Sequence, residues 1–165
     1  MGRWLWLSAL VLGLDQVSKW LAEARLAFHQ PEALTPFLSL TLTYNTGAAF
    51  SFLSEQSGWQ RWLFVALAAG VSLAILVWLL RLGRHERLVA AALALILGGA
   101  LGNLADRLVY GHVIDFIDVY HSSLAGWPGF SANGHWPAFN LADSAIFLGA
   151  ALLVLDALFM RRASR

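Results

Sequence analysis

The chain has 165 residues, 59% of them hydrophobic and only 13% charged, with a net charge of +1 and a mean hydropathy of +0.64. A soluble domain carries about 25% charged residues, so the deficit points to a membrane protein, and the length allows about four spans. The near-neutral charge gives no footing for a nucleic-acid partner, and the absence of cysteine excludes disulfides, thiolate metal sites and a cysteine nucleophile.

The first apolar run, residues 4–21, resembles a secretory leader in length. Asp15 and Lys19 lie inside its far end and no Ala-x-Ala site follows, so it reads as a retained first helix. Residues 22–61 are broken by Pro31, Pro36 and Gly58. Between them Phe37–Tyr44 alternates apolar and hydroxyl side chains, the period of short strands, before a turn at Gly47-Ala48-Ala49. Residues 62–80 and 88–108 are the second and third apolar runs. Residues 109–140, rich in Gly, Ser, Trp, His and Pro, read as a surface loop with Trp127, Phe130 and Trp136 at the level of the lipid headgroups. Residues 141–160 form the fourth run.

Each run reaches roughly 27–31 Å at about 1.5 Å per residue, enough for the hydrocarbon layer. Arg3, Arg81, Arg84, Arg87, Arg161, Arg162 and Arg165 all fall on one side of a four-span arrangement. Positive-inside bias makes that side cytoplasmic, with both termini inside. The expected fold is an all-α membrane domain over 1–165. It has four transmembrane helices, a small extracytoplasmic β-sheet and a surface loop between helices 3 and 4.

The polar residues are few and grouped. Asp15 and Lys19 are four apart and can pair on one helix face, either as an interfacial salt bridge with a snorkelling lysine or as support for a site. Asn45 precedes Gly47, Ala48 and Ala49, whose small size lets backbone approach a ligand, although an ordinary Asn turn looks the same. Gly98 and Gly102 form a small-xxx-small face for close helix packing. Asn103, Asp106 and Arg107 share one face of the third helix, where Arg107 could pair with Asp106 or hold a remote carboxylate or a substrate carbonyl. Asn140 suits the N-cap of the fourth helix and Asp143 its N3 position, so capping alone would account for both.

Capping does not account for Asp115 at the matching membrane edge. Carboxylates cost roughly 2.5–3.5 kcal/mol at bilayer depth on insertion scales. A converging pair, Asp115 and Asp143, is the minimum for aspartic-protease chemistry, with Asp118 as a competitor for Asp115. A rival reading is a small transporter or channel subunit with a path through Asp15, Asp106, Asp115 and Asp143. Such a path predicts carboxylates spread through the membrane depth, whereas only Asp156 lies toward the inner end. A scaffold packing through Gly98 and Gly102 would leave the polar groups unused. His112, His121 and His135 lack zinc-ligand spacing, and Ser144 lacks both a Gly-x-Ser-x-Gly elbow and a histidine to orient it.

In chain order the motifs are Asp15-Gln16-Val17-Ser18-Lys19, Asn45-Thr46-Gly47-Ala48-Ala49-Phe50, Gly102-Asn103 with Asp106-Arg107, Val113-Ile114-Asp115-Phe116 and Phe139-Asn140-Leu141-Ala142-Asp143-Ser144. Together they closely resemble lipoprotein signal peptidase, the bacterial type II signal peptidase, over nearly the whole chain. The resemblance implies a multi-pass aspartic protease of the inner membrane, active on the outer face, monomeric and without metal or cofactor. Its substrates would be diacylglyceryl-modified prolipoproteins met within membrane lipid and cut on the amino side of the lipidated lipobox cysteine. It implies Asp115 and Asp143 as the catalytic dyad. Asp15, Lys19, Asn45, Gly47, Asn103, Arg107 and Asn140 would support the dyad or hold substrate. The stretch from Tyr120 to Pro137 is longer than the resemblance leads one to expect.

Overall fold

A computed structural model describes residues 2–47 and 59–160. Ala48, Ala49 and Phe50 of the Asn45 motif, with Gly58, Arg161, Arg162 and Arg165, lie outside the described residues. A 3-10 turn at Gly2–Trp4 leads into α1 (Leu5–Arg25). Strands β1 (Glu32–Thr35) and β2 (Leu38–Asn45) follow, then α2 (Trp59–Arg81), α3 (Arg87–Val109), β3 (Val113–Val119) and α4 (Leu141–Leu155), which runs on as a wider π turn over Asp156–Met160.

Helix α3 is the centre. It packs against α1, α2 and α4, and its small residues explain how. A Cβ at Gly98 would come within 2.7 Å of the Ser8 carbonyl oxygen of α1, and one at Gly102 within 2.5 Å of Asp15 Oδ2. A Cβ at Gly99 would collide with the Ala142 backbone of α4, and Gly149 of α4 accepts the Ala92 carbonyl just as closely. Inside a bilayer no hydrophobic gain drives helices together, so close backbone packing and interhelical hydrogen bonds carry association. Ser8 supplies such a bond, its Oγ donating to the Ala94 carbonyl at 2.8 Å. At the opposite end from the sheet the core is apolar: Leu79, Val89, Ala90, Leu93, Ala94 and Leu97.

Three helical stretches are long and apolar enough to cross a membrane: Arg61–Arg81, Arg87–Val109 and Leu141–Phe159. With 21 residues α1 is as long, but Asp15, Gln16 and Lys19 lower its hydropathy and keep it out of that group.

The strands pair antiparallel in the order β1-β2-β3. The period-two reading of 37–44 corresponds to β2. The loop reading of 109–140 needs correction, because β3 lies inside it. Val113-Ile114-Asp115-Phe116 is buried throughout, so both faces of this strand carry apolar side chains and no clean alternation marks it.

A bulge in β2 decides which side chains meet. Leu40 pairs with Ile117 and Thr43 with Asp115, so Thr41 and Leu42 stand opposite Phe116 alone. Successive side chains of a strand alternate faces, and one extra residue reverses that alternation. Before the bulge Ser39 is level with Asp118; after it Thr43 and Asn45 share the face of Asp115.

Candidate active site

Asp115 and Asp143 arrive from different elements, β3 and the first turn of α4. At that helix start the Asn140 side chain accepts from the Asp143 N–H at 2.9 Å. The Asp143 Oδ2 accepts from the Asn140 N–H at 3.3 Å, closing a capping box. The predicted cap is therefore present, and the same Asn140 does more. Its Oδ1 is held by a backbone N–H, a group that can only donate, so its amide nitrogen must point away from the helix. That Nδ2 donates to Asp115 Oδ1 at 2.7 Å, with Asn103 Oδ1 and the Ile114 carbonyl at 3.2 Å.

Asn103 is oriented by the same logic. Lys19 Nζ, a pure donor, lies 2.9 Å from Asn103 Oδ1, which turns Asn103 Nδ2 toward Asp143 Oδ1 at 2.7 Å. The two carboxylates thus sit at opposite ends of a bridge of two amides, each fixed in orientation by a donor that cannot accept.

Lys19 is buried, 1% exposed, and does not snorkel. Its ammonium meets Asp15 Oδ2 at 2.8 Å and Asp106 Oδ2 at 2.7 Å besides Asn103, which occupies all three of its protons. Asp15 Oδ1 in turn accepts the Ala142 N–H of α4 at 2.9 Å. Asp106 accepts Gln16 Nε2 at 2.8 Å and the Ile114 N–H at 3.2 Å. One buried cation and its two anions therefore tie α1, α3, α4 and β3 together beneath the carboxylate pair. Removing one member of such a group leaves an uncompensated charge.

Arg107 departs from one expectation, for Asp106 is committed to Lys19 and Arg107 does not pair with it. The guanidinium donates to the Asn103 carbonyl at 3.2 Å, lies 5.6 Å over the Phe64 ring of α2, and couples electrostatically to Asp143 first and Asp115 next. Its buried Nε has no partner among the described residues. The same Phe64 ring covers Gly47, where φ is +85° and a Cβ would come within 2.5 Å of the ring. Only glycine fits there, in conformation and in space. Asn45 Oδ1 accepts the Gly47 N–H at 2.9 Å, and its side chain also hydrogen-bonds Asp115.

Burial, and then the charge of Asp143, push the Asp115 carboxyl up to about 7; the hydrogen bonds of Asn45 and Asn140 and the charge of Lys19 oppose the rise. Desolvation and a like charge both disfavour the ionised form. Asp118 lies on the other face of β3. Its Oδ2 accepts Ser39 Oγ at 2.9 Å and Thr41 Oγ1 at 3.2 Å, and its carboxylate pairs with His135 Nδ1 at 2.9 Å. It is outside the carboxylate pair and cannot stand in for Asp115.

The expected residues Asp15, Lys19, Asn45, Asn103, Asp115, Asn140 and Asp143 converge in one connected network, with Arg107 and Gly47 at its rim. The sequence reading passed over Gln16 and Arg61. Arg61 Nε and Nη2 cap α3 through the Arg107 and Leu108 carbonyls at 2.8 and 2.7 Å. An arginine heading an apolar run was its only signal.

Helices long and apolar enough to cross a membrane thus hold two carboxylates over a sealed ion cluster, the framework of a membrane protein with a polar site at one end. Residues 7–159 match the family described as Signal peptidase (SPase) II, and the chain belongs to that family. It is 56% identical over 154 residues to the lipoprotein signal peptidase of Pseudomonas fluorescens strain Pf-5, covering 93% of this chain and 85% of that one. With the lipoprotein signal peptidase of Burkholderia mallei strain SAVP1 it shares 52% identity over 165 residues, 100% of this chain and 93% of the other. A bacterial membrane enzyme solved by the in meso method at 1.9 Å aligns with a TM-score of 0.79 at 27% identity, covering 96% of this chain and 94% of that one.

Proposed function

We propose that the chain removes the signal peptide from diacylglyceryl-modified prolipoproteins, cutting on the amino side of the lipidated cysteine with water activated by Asp115 and Asp143. Family membership makes it a protease of the aspartic class that acts on lipoprotein signal peptides. The observation that carries the residue assignment is the amide bridge, which delivers one donor to each carboxylate and leaves the pair facing each other's charge.

The chemistry follows from the asymmetry of the pair. Asp115 is the buried member, and its carboxyl holds a proton up to about pH 7. Asp143 stands in the first turn of α4, is less buried than Asp115 and accepts the Asn140 N–H. Asp143 is accordingly the base that takes a proton from the attacking water, and Asp115 the acid that polarises the scissile carbonyl. In the second half of the reaction the tetrahedral intermediate collapses, the departing amine takes the proton that Asp143 received from water, and the proton shared with the carbonyl oxygen returns to Asp115. Arg107, whose charge lies near Asp143 and Asp115, would hold a substrate carbonyl. Asp15, Lys19, Asn103 and Asn140 are positioning residues.

Four spans in one domain over 1–165 are part of this reading, with α1 crossing the bilayer despite Asp15 and Lys19 because its charges are paired against α3. Arg81, Arg84 and Arg87 then mark the cytoplasmic side of a bacterial inner membrane, and both termini lie there. The sheet and the carboxylate pair face outward, and the enzyme acts as a monomer. A transport path finds no support, because Asp15 and Asp106 are both bound to Lys19.

The test is cleavage of a diacylglyceryl-modified prolipoprotein and its unmodified form by purified enzyme, with the cut located by mass spectrometry. A cut before the lipidated cysteine, lost in Asp115→Asn and in Asp143→Asn, is the expected result. A well-folded wild type that leaves the modified substrate intact would sink the reading.

A further inference from the structure

Beside Asp143 a groove of about 470 Å³ is lined by Trp136, Phe139, Asp143, Ser144 and Phe147. Three of these residues form one strip of α4, since 143, 144 and 147 are related by three or four positions. The strip has a polar end and an apolar end. It begins at the carboxylate, passes the Ser144 hydroxyl, and ends one turn further along the membrane helix at Phe147, whose side chain is 78% exposed. Ser144 Oγ is already satisfied by the Asn140 carbonyl at 3.0 Å, so the lower groove offers no free hydrogen-bonding group.

The opposite wall comes from the long segment between β3 and α4. Trp136 is 44% exposed and its ring meets Phe130 edge-on at 5.3 Å. The backbone holds it in place, the Trp136 N–H donating to the Val119 carbonyl at 2.8 Å. The preceding residue pins the segment to the sheet, because His135 pairs with Asp118 and stacks on Tyr120 at 5.0 Å. Tyr120 in turn donates its hydroxyl to the Thr35 carbonyl at 3.1 Å. The groove therefore has a wall set by the fold rather than by a loose loop.

An occupant of this shape must be apolar, must start at the reacting carboxylates, and must run from there along α4 into the hydrocarbon layer. A peptide side chain is too short to do both, and a free bilayer lipid has no reason to begin at Asp143. Resting on the function proposed above, we infer that this groove is the subsite for one acyl chain of the diacylglyceryl group on the substrate cysteine, with Trp136, Phe139 and Phe147 as its contact residues. The groove competes with lipid for the chain, so its advantage is packing against aromatic faces rather than escape from water.

The test uses a diacylglyceryl-modified prolipoprotein peptide with a photoreactive diazirine in the middle of one acyl chain, in phospholipid bicelles. Wild-type enzyme must first cleave it before the lipidated cysteine; failure there counts against the proposed function and is read separately. The peptide is then irradiated with the Asp115→Asn enzyme, which holds it uncleaved, and with wild type at early times. The expected label falls on Trp136, Phe139 or Phe147. Label confined to other helices, or no label on these three in an enzyme that cleaves the peptide, overturns the subsite.

Kinetics give a second reading. Phe147→Ala and Trp136→Ala should each raise KM for the long-chain substrate by about three- to tenfold, on the order of a lost aromatic packing contact, while kcat is kept. The penalty should shrink when the acyl chains are shortened. Phe159→Ala, at the far end of the same apolar helix, serves as the control. An equal penalty for short and long chains, or an effect of Phe159→Ala as large as that of Phe147→Ala, would mean that the groove does not hold the chain.

Discussion

Asp115 and Asp118 lie three residues apart on one strand, both buried, and they have become different chemical objects. Asp118 faces two hydroxyls and an imidazole, a set that satisfies a carboxylate. Asp115 faces amide donors and, beyond them, the charge of Asp143. Both carboxylates are buried, and burial is the larger cause that raises the Asp115 carboxyl. Asp115 differs in its neighbours: the like charge of Asp143 adds to the rise, and among the described residues hydroxyl and imidazole partners like those of Asp118 are missing from its surroundings.

The sharpest break of this comparison is chemical. Asp115→Asn should lower kcat/KM by about 10²–10⁴-fold, the usual worth of a positioned acid or base, while Asp118→Asn keeps it within about tenfold. Mass-spectrometric cleavage rates on one lipidated substrate check both, and equal losses would erase the distinction.

Next in size is the ion cluster. Lys19→Met leaves Asp15 and Asp106 buried without their cation and should destabilise the fold by about 3–5 kcal/mol, read as thermal unfolding in detergent. On the Asp118 side, His135 is partly exposed in its pair, so His135→Ala should cost no more than about 1 kcal/mol in the same assay.

The pH profile sharpens the contrast further. As pH rises through about 7 the Asp115 proton is lost and kcat/KM should fall. Asn45 favours the charged form of Asp115, so Asn45→Ala should move this alkaline limb to higher pH. A limb that stays in place would detach Asn45 from the site. Linkage has the same sign for stability. The carboxyl is raised in the folded state, so its contribution is complete below its ordinary value of 3.8 and is lost as pH climbs through about 7.

Smallest in atoms is the β2 bulge. Deleting Thr41 would remove the bulge yet keep Ser39 level with Asp118 and Asn45 on the face of Asp115, at the cost of one hydroxyl donor to Asp118. The expected result is a folded protein whose alkaline limb stays at the wild-type position on the same substrate, whereas a limb shifted like that of Asn45→Ala would mean that the register is not kept.

The amino-acid sequence by itself determined what depends on neighbours within a turn or a run. The apolar stretches, the Asp15–Lys19 pair four residues apart and the Asn140–Asp143 cap are all of this kind, and each is present. So is β2, whose period of two is a local signal. The tertiary structure decided the rest, because the deciding contacts are long-range. Lys19 finds Asp106 across 87 positions, and only that contact shows that the lysine is sealed in rather than snorkelling, and that Arg107 must look elsewhere. β3 was hidden inside an apparent loop because both its faces are buried. Asp115 and Asp118 were alike until the pairing register of a partner strand set Asn45 on the face of the first and Ser39 beside the second. A carboxylate's reactivity is set by the charges and donors within a few ångströms of it, and here those groups come from helices and strands far apart in the chain.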